Sequence, residues 1–185
     1  LPDDIVKYIE HLKPTLLSHE WEDVNALYEK TKKMCAVRDK AKRMIDENGA
    51  AFDFTSKDIN DNEFTLSSLR GKWVVLDFWG SWCGPCMRGV PMMKRYYDRY
   101  RSKMEIVGIA CNDKQEQWRK AVEKNEMSWI NIFHDEDTLP ANSIMLNYAV
   151  ANFPTKVIIT PEGCLYKVFV GETEDFYTEI DAIMK

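Results

Sequence analysis

Apolar residues follow one another almost without interruption at residues 73–79, which read Trp-Val-Val-Leu-Asp-Phe-Trp. A near-continuous apolar segment of this length is typical of a strand that is buried on both faces of a parallel sheet. The one charged residue in the run is Asp77. The pattern therefore predicts a central strand that carries one carboxylate into the interior.

Strand-like and helix-like patterns alternate from residue 50 onward. The spacing of apolar residues predicts strands at 52–55, 63–66, 73–79, 104–110, 129–133, 156–160 and 165–170. It predicts helices at 85–101, 114–125, 142–150 and 175–184. Pro91 falls inside the first of these helices, where its missing N–H predicts a kink. Such an alternation is typical of an α/β fold.

The first 48 residues have a different pattern. We expect a short helix at 2–12, a break at Pro14 and a long second helix capped by Ser18. Apolar residues recur in the second helix at three- and four-residue spacing: Trp21, Val24, Leu27, Tyr28, Met34, Cys35, Ala41, Met44 and Ile45. We favour helices packed on the main domain over a docking surface or a connector to an upstream domain. The chain thus divides into a helical extension or linker, 1–48, and a main domain, 50–185.

The composition narrows the class of protein. With 185 residues, of which 45% are hydrophobic, the chain can bury one substantial core. The net charge is -5 and basic residues are interspersed with acids, so we expect no nucleic-acid partner. The sequence has no run of about 18 apolar residues, the length that a membrane-spanning helix needs. Because the chain begins at Leu1 rather than Met, we expect a processed or shortened form, and a membrane tether outside it stays open.

The candidate chemistry lies at Cys83-Gly84-Pro85-Cys86, directly after the apolar run. Gly84 permits a tight turn, and Pro85 suits the first turn of a helix, where its missing N–H loses no hydrogen bond. A helix N-terminus carries partial positive charge, which favours a thiolate at Cys83. We therefore expect Cys83 to be the attacking sulfur and Cys86, one turn deeper, to be the resolving one.

A pair of cysteines at this spacing is also found as half of a zinc site, which needs two further ligands at metal spacing. The other cysteines and the histidines are solitary in the sequence: Cys35, Cys111, Cys164, His11, His19 and His134. We therefore expect neither a metal nor a cofactor. An odd number of cysteines also argues against a structural disulfide framework, so the other three are interpreted as small apolar residues.

Residues 75–86, Val-Leu-Asp-Phe-Trp-Gly-Ser-Trp-Cys-Gly-Pro-Cys, resemble the active-site strand and turn of thioredoxins. A second resemblance lies at Asn152-Phe153-Pro154-Thr155, before the strand predicted at 156–160. At this place thioredoxins carry a proline with a cis peptide bond that faces the active-site sulfurs. The resemblance thus implies a cis Phe153-Pro154 bond beside Cys83.

The chain is larger than a minimal thioredoxin. Its segments 52–55 and 66–72, and the helix and strand between 114 and 133, resemble envelope thioredoxins of the TlpA and ResA kind. The resemblance covers residues 50–185. It implies a thioredoxin fold, a central mixed β-sheet flanked by helices, with an inserted helix–strand unit and an N-terminal helical extension.

The same resemblance implies the activity and the setting. It implies a thiol:disulfide oxidoreductase in the bacterial periplasm or cell envelope, with a cytoplasmic location as the alternative. The implied partners are protein disulfide or dithiol clients and an upstream electron donor. A helical segment that links to an upstream domain is also found in related envelope proteins.

In thioredoxins, the aspartate that matches Asp77 serves as a proton relay for the deeper cysteine. The apolar neighbours of Asp77 predict that it is buried with a raised pKa, although a carboxylate that reaches solvent is the alternative. Thioredoxins also place a lysine near this aspartate from the adjacent strand. Residues 105–112 contain no lysine, so the relay is expected to be incomplete or connected through water.

The candidate substrate-contact residues are Trp82, Gly84, Pro85, Phe153 and Pro154. We expect Trp82 to be exposed beside Cys83, and Trp79 to pack under the active-site loop. Phe153 can give an incoming peptide a backbone edge and an apolar wall. Simple core packing of Phe153 is an equal alternative.

Two other functions compete with thiol–disulfide exchange. One is a thiol peroxidase, because chains with similar opening strands include peroxiredoxins. The threonine-x-x-cysteine pattern of that site is absent, since the residue three before Cys83 is Gly80 and the residue three before Cys86 is Cys83. The other is a non-catalytic binding module that uses the fold to hold a partner. Reversible two-electron titration of the two cysteines would distinguish the enzyme from the binding module.

Overall fold

A computed structural model describes residues 7, 8, 11, 18–134 and 140–185. The helix predicted at 2–12 lies outside these residues except for 7, 8 and 11, which are helical. The elements in chain order are α1 (Ser18–Asp46), β1 (Thr55–Lys57), β2 (Glu63–Thr65), a 3₁₀ turn (Leu66–Leu69), β3 (Trp73–Trp79), α2 (Gly84–Tyr100), β4 (Met104–Ala110), α3 (Gln115–Lys124), β5 (Ile130–Phe133), a second 3₁₀ turn (Pro140–Asn142), α4 (Ile144–Asn147), β6 (Thr155–Ile159), β7 (Leu165–Val170) and α5 (Glu174–Ile183).

Five of the strands form one mixed sheet in the order β5-β4-β3-β6-β7. β3 pairs parallel with β4 and antiparallel with β6, so it is the central strand, as its apolar run predicts. β5 pairs parallel with β4, which places the inserted helix–strand unit at one edge of the sheet. β1 and β2 form a separate antiparallel hairpin.

The two faces of the sheet carry two separate hydrophobic cores, because alternate residues of a strand point to opposite faces. On one face, Val75 and Trp79 of β3 pack with residues of two helices, which are Val90 and Met93 of α2 and Phe176 and Ile180 of α5. On the other face, Leu76 and Phe78 of β3 pack with residues of two other helices, which are Met44 and Ile45 of α1 and Ile144 of α4. The redox pair, at the N-terminal end of α2, belongs to the first core.

α1 packs on the main domain through its second half. Ala41 is buried, and Met44 and Ile45 contact the second core. Leu27, which the apolar stripe predicts on the packed face, is instead 66% exposed. Among the described helices, none has both the length and the apolar character that crossing a membrane requires.

Two predicted boundaries are wrong. β1 begins at Thr55, because Thr55 pairs with Thr65 in the hairpin, so it shares one residue with the strand predicted at 52–55. α4 has only four residues of the predicted 142–150. The Ser143 side chain caps it by accepting the N–H of Leu146 at 3.3 Å. Ala149 then adopts a left-handed φ of 53°, which ends the helix.

α2 contains Pro91 in its interior, and the predicted kink stays a prediction.

The β6–β7 pair contains a bulge. Ile158 pairs with Lys167, whereas Ile159 pairs with Leu165, so Tyr166 is an extra residue on β7. Toward the active-site end the pairing is regular again, with Lys156 opposite Phe169. The bulge therefore sets which residues of β7 lie beside β6 at that end.

Candidate active site

Cys83 and Cys86 form a disulfide at the N-terminus of α2, with an S–S distance of 2.09 Å and Cα atoms 5.3 Å apart. Cys83 is the N-cap residue, and its Sγ accepts the N–H of Cys86 at 3.3 Å. This hydrogen bond and the positive end of the helix dipole both favour negative charge on Cys83 when the pair is reduced. The predicted strand, turn and helix around the redox pair are thus confirmed.

Residue exposure does not distinguish the two cysteines in this disulfide state. Cys83 is 4% exposed and Cys86 is 6% exposed, so both residues are buried in the oxidised pair, and the resolving role of Cys86 stays a prediction. Cys83 is the N-cap residue of α2, whereas Cys86 lies within the first turn of the helix. Position relative to the helix end therefore distinguishes the two residues, and exposure does not.

The turn that precedes α2 is held by Asp113, which follows β4. Its carboxylate accepts hydrogen bonds from the N–H of Ser81 at 2.6 Å and from Ser81 Oγ at 2.9 Å. It also accepts the N–H of Lys114 at 2.8 Å. One carboxylate thus connects the β3–α2 and β4–α3 loops. Asp113 is not among the predicted site residues, because nothing in the surrounding sequence pattern distinguishes it from other acids.

Trp82 covers the turn from outside. It is 54% exposed, as predicted, and its Nε1 donates to the carbonyl of Cys111 at 3.2 Å. The indole lies so close over Gly80 that a Cβ there would be 2.4 Å from Nε1. Trp79, also as predicted, is buried beneath the loop.

The Phe153-Pro154 peptide bond is cis, as the resemblance implies, and its position beside Cys83 stays a prediction. The Phe153 ring meets the Trp82 ring edge to face, with centroids 5.5 Å apart. Phe153 is partly buried and contacts both cores, so it serves packing and also flanks the redox turn. Gly84 and Pro85 are exposed next to Trp82, and the five candidate contact residues therefore lie around one turn and one loop.

Asp77 is buried, so the alternative of a carboxylate that reaches solvent is wrong. Burial raises its pKa; the Lys156 ammonium opposes this effect, and the Glu172 carboxylate adds to it. Asp77 lies opposite Lys156 in the β3–β6 pair, and its Oδ1 is 3.7 Å from Lys156 Nζ. It lies opposite Gly108 in the β3–β4 pair.

Lys156 is a lysine near Asp77, so the expectation of an incomplete relay, which rested on the lack of a lysine in 105–112, loses its ground. The lysine comes from β6, on the opposite side of β3 from the segment 105–112. Lys156 is 2% exposed, and its Nζ donates to Glu172 Oε2 at 2.6 Å. The hydroxyl of Tyr177 donates to the other oxygen of Glu172. We call these three residues, Lys156, Glu172 and Tyr177, the ion-pair cluster.

One signal in the sequence points to the ion-pair cluster, although none of its members is among the predicted site residues. Lys156 interrupts an apolar strand in the same way that Asp77 does. Two charged residues inside two central strands of one sheet invite the hypothesis that they meet. Glu172 has no such signal, because it lies in the acidic stretch 172–175 of the sequence.

Residues 47–168, more than half of the chain, match the sequence model of the AhpC/TSA family. The chain belongs to the AhpC/TSA family. This AhpC/TSA protein is also similar to the thiol-disulfide oxidoreductase ResA of Bacillus subtilis, with 32% identity over 132 residues, which are 70% of each chain. It is therefore an oxidoreductase of the thioredoxin-like type.

Two solved structures have the same fold as this AhpC/TSA protein. One is a thiol:disulfide interchange protein DsbE from Chlorobium tepidum, with 26% identity, a TM-score of 0.65 and coverage of 74% of this chain and 96% of that one. The other is the thioredoxin domain of a thiol-disulfide oxidoreductase from Bacteroides vulgatus, with 23% identity, a TM-score of 0.67 and coverage of 75% and 97%. The mixed sheet flanked by helices is thus a thioredoxin fold.

The AhpC/TSA match contains the redox pair, Asp77 and Lys156, but ends before two members of the ion-pair cluster. Glu172 and Tyr177 lie beyond residue 168. They follow β7 and belong to the loop before α5 and to α5 itself.

Proposed function

We propose that this AhpC/TSA protein exchanges electrons with disulfides of client proteins through Cys83 and Cys86. The observation that carries the proposal is the position of the disulfide. Its Cys83 sulfur caps the first turn of α2 and accepts a backbone N–H. A thiolate is the reactive form in disulfide exchange, and a helix N-terminus stabilises that form.

The reaction has two exchange steps. The Cys83 thiolate attacks one sulfur of the client disulfide, a Cys83–client bond forms, and the second client sulfur leaves as a thiolate. The Cys86 thiol then loses its proton, and its thiolate attacks Cys83 Sγ. The Cys83–Cys86 bond forms, the client sulfur leaves with its electron pair, and two electrons have passed to the client.

Asp77 is the proposed acceptor of the Cys86 proton. Its raised pKa supports this role, because a base works best when its pKa lies near the working pH. The surface of Trp82, Gly84, Pro85, Phe153 and Pro154 is the proposed contact for the client. The exposed indole supports this assignment, since aromatic rings next to a reactive turn give an extended peptide apolar contact.

The proposed setting is the bacterial periplasm or cell envelope, on the strength of the likeness to ResA and DsbE proteins. An upstream dithiol donor renews the reduced pair in this scheme, and a membrane tether or an upstream domain belongs to the same proposal. Fractionation of cells that express the full gene tests the location. Recovery of the protein in the cytoplasm would remove this part of the proposal.

The experiment that tests the exchange activity is a redox titration in glutathione buffers of graded ratio. Alkylation followed by mass measurement counts the thiols, and we expect Cys83 and Cys86 to appear together in one two-electron transition. Insulin-type protein disulfides supply the client for a parallel turnover assay. A pair that titrates without turning over any protein disulfide would favour the binding module, and rapid peroxide consumption would favour the peroxidase.

A further inference from the structure

The Lys156 ammonium lies between two carboxylates and is closer to the one that the proposed reaction does not use. Its Nζ is 2.6 Å from Glu172 Oε2 and 3.7 Å from Asp77 Oδ1. The longer separation exceeds hydrogen-bond length, and Asp77 Oδ1 is buried without a hydrogen-bond partner among the described residues. Glu172 thus holds the cation that Asp77 would otherwise bind.

Three contacts fix Glu172 in this place. Tyr177 donates its hydroxyl to Glu172 Oε1. Gly171, with a φ of 88°, turns the chain after β7, and its N–H donates to the carbonyl of Pro154 at 2.8 Å. The Glu172 side chain is 22% exposed and lies on Gly89 of α2. The loop that carries Glu172 is therefore tied both to the cis-proline loop and to the helix that carries the redox pair.

We propose that Glu172 and Lys156 are positioning residues of the exchange reaction: Glu172 retains the Lys156 ammonium, and Asp77 thereby stays free to take the Cys86 proton. This inference rests on the proposed function. In the step concerned, the S–H bond of Cys86 breaks and its proton passes to a carboxylate oxygen of Asp77. The thiolate then attacks Cys83 Sγ, and the client sulfur leaves with the electron pair of the broken S–S bond.

The reason is electrostatic. A carboxylate that is hydrogen-bonded to an ammonium holds its charge more strongly, so it is a weaker base. If Glu172 released Lys156, the ammonium would turn to Asp77 and lower the pKa of that carboxyl. Glu172 also acts directly, because its own negative charge favours the protonated form of Asp77.

Several groups share this face of the sheet with Asp77. They come from each element packed there: Cys86 from α2, Gly108 from β4, Lys156 from β6, Glu172 from the loop after β7 and Tyr177 from α5. Burial and the hydrogen bond to Glu172 raise the pKa of Tyr177, so its hydroxyl stays protonated. The charges that act on Asp77 at neutral pH are thus those of Lys156 and Glu172.

The test is the pH profile of the resolution step in Glu172→Gln. Reduced protein is mixed with excess peptide disulfide, and formation of the Cys83–Cys86 disulfide is followed in a single turnover. We expect the acidic limb of the profile to move to lower pH, because Asp77 ionises more readily. The rate on the plateau should fall as well, since a weaker base accepts the proton less well.

Glu179→Gln is the matched control. Glu179 on α5 also accepts a tyrosine hydroxyl on one oxygen, from Tyr166, and a lysine ammonium on the other, from Lys167. It differs in lying away from Asp77, so this variant should keep the wild-type profile.

The outcomes separate this inference from the proposed function. A Glu172→Gln profile that matches wild type, in a protein that still exchanges two electrons, overturns the inference alone. A wild-type protein that exchanges no electrons with the peptide disulfide overturns the proposed function itself. The glutathione titration of each variant shows that the redox pair is intact before the profiles are compared.

Discussion

Gly89 lies against the carboxylate of Glu172: a Cβ at position 89 would be 2.4 Å from Glu172 Oε2 and 2.5 Å from its Cδ. Atoms do not approach so closely, so any side chain at position 89 displaces the carboxylate. Glu172 is partly exposed and can swing outward. Because residue 89 of α2 is a glycine, there is room beside the helix for the Glu172 carboxylate in its contact with Lys156.

Gly89→Ala should reproduce the effect of Glu172→Gln without removing a charge. The methyl group pushes the carboxylate away from Lys156, and the acidic limb of the resolution profile moves to lower pH. The variant should remain folded, because alanine in a helix interior is favoured over glycine by about 1 kcal/mol. Met92→Ala in the same helix is the control, and it should leave the limb in place. An unshifted profile in Gly89→Ala, with Glu172 shown to be displaced, would contradict this account.

Asp77→Asn should keep the fold and slow resolution by up to about 100-fold, since an amide cannot accept the proton of Cys86. The attack of Cys83 on the client disulfide should change little. Single-turnover mixing resolves the two steps, because the mixed disulfide accumulates when the second step is slow. Equal resolution rates in the two proteins would leave Asp77 with a structural role only.

The same variant should be more stable than wild type at neutral pH. Burial raises the pKa of Asp77 in the folded state above the unfolded value of about 3.9. A raised pKa means that the protonated form is the stable one, so the stability it gives is present at low pH and is lost as pH rises through the folded pKa. Asparagine avoids this loss, and Lys156 keeps Glu172 as its partner.

The free energy of unfolding of wild type and Asp77→Asn, measured at a series of pH values, checks the sign of this stability difference. The difference should vanish below about pH 4 and grow toward neutrality. Each kcal/mol of stabilisation corresponds to a rise of about 2–4 °C in Tm for a chain of this size. A difference that is constant with pH would mean that the charge on Asp77 is not its origin.

The two cysteines should react at different rates in the reduced protein. The N-cap position favours the thiolate at Cys83, so iodoacetamide should alkylate Cys83 much faster than Cys86 near neutral pH. Cys86→Ser should trap mixed disulfides with client proteins, because nothing remains to resolve them. Peptide mapping of the first alkylated residue decides the assignment, and faster labelling of Cys86 would reverse it.

Asp113→Ala should lower the free energy of unfolding by about 1.5–3 kcal/mol, the range for hydrogen bonds to charged groups. Its carboxylate receives three such bonds and connects two loops at the redox turn. Glu116→Ala is the control, since Glu116 makes an exposed pair with Lys120 worth about 0.3–0.5 kcal/mol. Urea unfolding of both variants measures the difference, and equal losses would show that Asp113 is no more than a surface charge.

The redox turn was predictable because its signals are local. A glycine, a proline and two cysteines after an apolar run determine turn, helix start and thiol position within four residues. Asp77 was predictable for a similar reason, as one charge among apolar neighbours. The ends of α4 were not, because they depend on a side-chain cap at Ser143 and a left-handed residue at Ala149.

The ion-pair cluster could not be predicted from the sequence, for a different reason. Its contacts depend on which residue of β6 lies opposite Asp77, and on where the chain emerges after β7. Periodicity shows that a segment is a strand but does not give its partner or its register. Lys156 could have been suspected, whereas the choice of Glu172 among its acidic neighbours required the fold.

The bulge at Tyr166 has a consequence at the other end of the sheet. β7 runs from the bulge toward the redox pair, so one extra residue there shifts everything that follows along β6. Deleting it would draw the strand back by one position and turn its side chains to the opposite face. Glu172 would then no longer meet Lys156, and the ammonium would be left to Asp77. The register that the bulge gives to this edge strand is thus one of the features that bring Glu172 to the buried lysine.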